Sequence, residues 1–110
     1  MNFFWKVGKF VFEKQTCCEN ILNKVSNYLA YYFGSSKIFS LENLFFMKKF
    51  YLYFPIYDKR MDNLDWESYL ELLKLNNKFI CYFYFKISLF CNFNYAEIKS
   101  LVDSNIYFLI

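Results

Sequence analysis

Histidine is absent from this 110-residue chain, and with it the commonest general base, so Ser/His and Cys/His hydrolytic chemistry is excluded. The same absence, with no Cys-x-x-Cys pair among Cys17, Cys18, Cys81 and Cys91, removes the usual zinc ligand patterns. Arg60 is the only arginine, and the lysines are scattered rather than clustered. A formal charge of +3 permits nucleic-acid binding without arguing for it, since dedicated binders carry a basic face. Two glycines and one proline are too few for a long flexible linker. No apolar run escapes interruption: Lys6, Lys9, Glu13, Lys24, Lys48, Lys49, Lys78 and Lys86 keep every stretch short of the ~18–20 residues a membrane span needs. The first residues mix charge into their apolar run and lack a small-residue cleavage site, so they do not read as a signal peptide. Adjacent Cys17 and Cys18 cannot easily bridge each other, and free thiols in a reducing cytoplasm are the expectation.

Aromatics fill the space that these absences leave. The chain is 57% hydrophobic and 26% aromatic, with 16 Phe and 11 Tyr, so apolar surface for a core is abundant. Phe, Tyr, Ile, Asn and Lys dominate together, the bias an AT-rich genome gives, and the rings need no functional reason. A surplus this large leaves some rings exposed, which favours self-association or a partner surface.

Helical spacing recurs along the chain. Phe3, Val7, Phe10 and Val11 share one face of a first helix. Ile21, Val25, Tyr28, Leu29 and Tyr32 share a face of a second, ended by Gly34 and Ser35. In the stretch Ile38–Pro55, Ser40 is a helix cap with Glu42 in the first turn, Leu44, Met47, Tyr51 and Phe54 form a stripe, and Pro55 closes the element. A charged connector, Asp58 to Asp62, marks a candidate subdomain boundary near residues 56–63. Trp66, Tyr69, Leu70 and Leu73 fall at i, i+3, i+4 and i+7 of a fourth helix, which Asn76-Asn77 breaks. The run Phe79–Phe90 is apolar on all faces and its composition also suits a strand; with helical neighbours and no second strand to pair with, it reads as a buried helix. Asn94 is placed as an N-cap with Glu97 at the capping-box position, and Tyr95, Ile98, Leu101 and Val102 line the helix that follows. The expectation is an all-α domain of about six or seven helices.

Three blocks carry a resemblance. Phe4 to Gln15 reads F-W-K-V-G-K-F-V-F-E-K-Q; a second block runs from near Ile21 to Pro55, through Val25-Ser26 and Phe33-Gly34 into I-F-S-L-E-N-L-F-F-M-K-K-F-Y-L-Y-F-P; and Leu64 to Leu73, L-D-W-E-S-Y-L-E-L-L, continues through Tyr82 to Tyr84 into N-F-N-Y-A-E-I-K-S-L-V-D-S-N-I-Y. In collinear order these resemble the N-terminal domain of the YhcG-like PD-(D/E)XK nuclease family, whose motif helix reads F-S-x-x-N-L-x-x-M-basic-x-F-Y-x-x-F-P. The resemblance implies a helix-turn-helix-like domain that delivers a separate nuclease domain to DNA. The pair Phe79–Phe90 and Asn94–Val102 is the candidate helix-turn-helix. The metal-binding carboxylates and lysine of such a nuclease belong to the domain absent here, so the chain is expected to be non-catalytic, with no metal and no cofactor.

The sequence also departs from the family pattern. The segment between Gln15 and Ile21 is short and reads T-C-C-E-N where the family carries R-A-x-Y-G. Cys81 and Ala96 stand where the family has arginine, and Phe46 holds a commonly basic place. These changes remove phosphate contacts and add apolar surface, as in a decayed gene fragment. Lys37, Asn43, Lys48, Lys49 and Lys99 are the candidate DNA-binding residues, Asn43 either reading a base edge or hydrogen-bonding within the fold. A solvated helix face is the ordinary role of any single lysine. Trp66 and Tyr69 fit core packing better than base stacking, and Asp62, Asp65 and Glu67 fit helix capping better than a metal site. The expected partner is DNA, with self-association or a separate nuclease subunit beside it and no membrane. The alternatives are a helical protein-interaction or oligomerisation module and a gene remnant.

Overall fold

The computed structural model describes residues 1–14 and 21–109, and every element among them is helical. In chain order they are α1 (Asn2–Lys14), α2 (Ile21–Phe33), α3 (Leu41–Tyr53), a 3-10 turn (Lys59–Asn63), α4 (Trp66–Leu73), α5 (Lys78–Cys91), α6 (Tyr95–Asp103) and the single turn α7 (Ile106–Leu109). The fold class is all-α, and the ambiguous aromatic run is a helix. Two compact units divide the chain, Asn2–Ile56 and the residues from Tyr57 onward together with Met1.

In the first unit α1 lies directly on α3. Gly8 permits this: a Cβ there would stand 1.9 Å from the carbonyl oxygen of Met47, a distance no side chain tolerates. Around that contact Val11, Leu44, Met47 and Phe50 are wholly buried, each contributing about 1.5–3 kcal/mol relative to exposure. Trp5 fastens the far end, its Nε1 donating to the Phe54 carbonyl at 2.7 Å while its ring meets Tyr51 edge-on. Ser40 caps α3, its hydroxyl accepting from the Asn43 backbone N–H, and Glu42 sits in the positive first turn. Gly34, at φ +70, ends α2 in the left-handed conformation that glycine adopts without strain. The Ser26 hydroxyl then ties α2 to the Phe39 carbonyl at 2.6 Å.

The apolar faces of the first two helices are not core faces in the manner their spacing predicts. Val11 and Leu29 are buried, but Phe3, Phe10, Tyr28 and Tyr32 are exposed. The reason is that α1 uses its glycine side to meet α3, which turns Phe3 and Phe10 away from that contact.

The second unit is punctuated by polar caps. Asp58 caps the 3-10 turn, Asp65 caps α4, Asn77 caps α5 and Asn94 caps α6, the first and last as reciprocal capping boxes. The charged connector of the sequence is therefore an ordered turn, and its Met61 is a core residue at 2% exposure. Above it Tyr69 is fully buried and donates its hydroxyl to the Met61 carbonyl at 2.5 Å. Leu72, Leu73, Ile80, Cys81, Tyr84, Phe85, Ile98 and Val102 complete this core. Asn92 (φ 56) closes α5 in the left-handed region, and Asn105 (φ 54) precedes α7 in the same way. Cys81 is buried and Cys91 is exposed; Cys17 and Cys18 lie outside the described residues.

Candidate nucleic-acid interface

Charge divides unevenly between the two halves of the sequence. Residues 1–56 hold seven lysines against Glu13, Glu19 and Glu42, a net of four positive charges. Residues 57–110 hold five lysines and Arg60 against seven carboxylates, a net of one negative. Ion pairing divides less cleanly, since Lys59, Lys78 and Lys86 of the second half also make no ion pair among the described residues, and the Met1 terminus pairs with Asp62. Asp58–Arg60, Glu71–Lys74 and Asp103–Lys99 all lie in the second half. Among the described residues Lys6, Lys14, Lys24, Lys37 and Lys48 make no ion pair.

The five sequence-nominated residues are not one cluster. Lys37 is exposed in the turn before α3, and its backbone carbonyl accepts the side-chain amide of Asn43 at 3.0 Å. Asn43 thus braces the entry to α3 within the fold, the second of the two roles its sequence position allowed. Lys48 and Lys49 are half-buried neighbours on α3, with the Lys49 ammonium over the Tyr53 ring at 5.3 Å. Lys99 belongs to the second unit, where its ammonium faces Asp103 at 3.6 Å one helical turn on.

The signature around α3 is largely consumed by the fold. Phe39, Leu44, Met47, Phe50 and Phe54 are buried, Ser40 is the cap and Asn43 is the brace. The later block behaves alike: Leu64, Tyr69, Leu72 and Leu73 are buried, Asp65 caps α4, and Asn94 with Glu97 closes a capping box. These motifs specify packing, with Lys48 and Lys49 half-buried inside the first of them.

Two features escaped the sequence reading. Glu71 is a buried carboxylate that accepts from Lys74 at 2.8 Å and from the Tyr95 hydroxyl at 3.2 Å. Burial pushes its carboxyl upward, but the Lys74 hydrogen bond and charge, with Lys99 and Tyr95 behind them, hold it below its ordinary value. Its position on the apolar face of α4 is visible in sequence only through the i, i+3 spacing to Lys74. The other is a cleft of about 350 Å³ lined by Arg60, Asn63, Lys86, Leu89 and the exposed ring of Phe90. Asp58 already engages Arg60 there at 2.9 Å, and that guanidinium holds the Asp58 carboxyl below its usual range. Among the described residues no group of three or more Cys, Asp or Glu is placed to hold a metal ion. Asp65 caps a helix, and Asp62 accepts the Tyr57 hydroxyl.

The described fold is all-α, and the net positive charge of the sequence lies in residues 1–56. A family model, the DUF1016 N-terminal domain, matches residues 1–108, and the chain belongs to that family. Comparison with curated proteins and with solved structures gave no match in either case. Among the described residues no helix is long and apolar enough to cross a membrane.

Proposed function

We propose that this chain is a non-catalytic DNA-binding module whose phosphate contacts come from the lysines of residues 1–56. The observation that carries the reading is the charge division: seven lysines against three carboxylates in that half, with Lys37 and Lys48 free of ion pairs. Lysine contacts to phosphate release counterions and are blind to sequence, so affinity is weak and strongly salt-dependent. The three-residue turn 92–94 between α5 and α6 suits a helix-turn-helix. However, α6 carries Glu97 and Asp103 against Lys99, which suits it poorly to approach a phosphate backbone. We therefore assign no base readout to it.

Fluorescence anisotropy with a plain duplex and a branched DNA, at low and moderate salt, tests the reading. Three phosphate contacts give a slope of about −2.7 in log affinity against log salt. Lys37→Ala with Lys48→Ala reduces that slope by about 2. Binding that ignores salt overturns the electrostatic mechanism. Absence of binding at low salt favours the second reading, a helical protein-interaction module. That reading draws on the exposed large apolar side chains, of which twelve among the described residues lie in Asn2–Ile56 and six beyond it.

A further inference from the structure

Helices α1 and α2 carry the same short pattern. Phe3-x-x-Lys6-Val7-x-x-Phe10 on α1 is matched by Ile21-x-x-Lys24-Val25-x-x-Tyr28 on α2, apolar at i, i+4 and i+7 with a lysine just before the central valine. The two stripes face a common groove of about 550 Å³, and both lysines line it. The groove wall is apolar, no carboxylate among the described residues lines it, and Phe3, Phe10 and Tyr28 stand 44%, 47% and 64% exposed. Neither lysine has an ion-pair partner among the described residues.

We propose that this groove receives an amphipathic helix of another protein, its apolar stripe laid between α1 and α2 and carboxylates on its flanks meeting Lys6 and Lys24. Two stripes at helical spacing fit the i, i+3, i+4, i+7 anchors of a third helix, the geometry of helix-in-groove recognition. Charge selects the partner. A second copy docking by the same face would gather four lysines around one apolar patch, a like-charge arrangement that opposes closure. A helix laid along the groove meets both stripes at once and brings carboxylates to both lysines. Lys6 and Lys24 belong to the same lysine-rich half as the DNA reading. The test of that reading, however, alters Lys37 and Lys48, neither of which lines the groove, so the two can fail separately.

The probe is a labelled peptide of about 16 residues with leucines at helical spacing and flanking glutamates, compared with its twin carrying lysines in their place. Anisotropy against the full chain is expected to favour the glutamate peptide by about tenfold. Lys6→Glu with Lys24→Glu, both at exposed positions, is expected to invert the preference. Tyr28→Ala, which removes an exposed wall of the groove and leaves both lysines, weakens the glutamate peptide about threefold or more whatever the fate of the charge variant. Equal binding of the two peptides, or binding of neither, overturns the proposal. So does a concentration-dependent dimer that excludes the peptide, which would make the occupant a second copy. Capture by anionic phosphatidylglycerol vesicles without peptide binding would assign the face to a membrane and overturn it as well.

Discussion

Residues 2–56 and the residues from Tyr57 onward are nearly equal in length and both wholly helical where described, yet they are held together differently. The first unit relies on close approach: Gly8 lets one backbone rest on another, and apolar side chains fill the seam. Within it α3 carries a side-chain N-cap, from Ser40. The second unit caps every element from the 3-10 turn to α6 and ties its core with the hydroxyls of Tyr69 and Tyr95 and the carboxylate of Glu71. Caps and the buried Glu71 thus engage many polar groups of the second unit with its own backbone and side chains, and its sequence is nearly charge-balanced. In the first, lysines and rings remain on the surface. Binding potential collects where the fold has made least use of its polar and aromatic side chains.

Gly8→Ala is the sharpest way to break that difference. The new methyl group cannot coexist with the Met47 carbonyl, so α1 must lift from α3. The gain in helix propensity returns about 1 kcal/mol, and the net loss is about 3 kcal/mol. A thermal melt followed by circular dichroism should fall by about 10 °C or more. A melting temperature within a degree or two of the parent would show that the α1–α3 seam does not limit stability.

The second unit should instead yield to acid. Glu71 has a folded-state pKa below its ordinary value of 4.5, so its contribution is fully present above that value and is lost as the pH falls through the folded pKa. Lys74 is largely exposed, so the pair is discounted for solvent, and with the Tyr95 hydrogen bond it is worth about 1 kcal/mol. Glu71→Gln should lower stability by that amount at neutral pH and flatten its decline in urea titrations taken below pH 4.5. A parallel decline in parent and variant would remove Glu71 from the acid response.

Sequence reading went furthest in the second unit for the same physical reason. Caps are local: Asn94 and Glu97 are three residues apart and announce the helix start by themselves. The all-α class and the helix over 79–90 were legible in this way. What stayed hidden depends on which side of a helix meets a neighbour. Phe3, Val7 and Phe10 have the period of a core stripe, and nothing local says that Gly8 will claim the contact instead. Asn43 kept two readings because its partner, the Lys37 carbonyl, is a backbone atom that no side-chain pattern reports. Met61 was concealed by the charges around it, since an isolated apolar residue has no period to reveal it.

Removing single caps should cost the second unit less than the glycine costs the first. Asn77 accepts from the backbone N–H groups of Phe79 and Ile80, and Asn77→Ala should lose about 1 kcal/mol in equilibrium unfolding. No loss would mean that water replaces the cap freely at that exposed helix start.

The smallest effect expected is that of Lys99→Ala, and it bears most directly on where binding resides. Its exposed pair with Asp103 runs lysine first at i, i+4, the weaker orientation, and contributes under about 0.5 kcal/mol. Removing it makes an already acidic half more negative, yet on the present reading that half touches no phosphate. DNA affinity and its salt slope should therefore stay within error of the parent, while Lys37→Ala with Lys48→Ala shifts both. A salt slope reduced by about 1 in Lys99→Ala would place a phosphate on α6 and restore the helix-turn-helix pair to the interface.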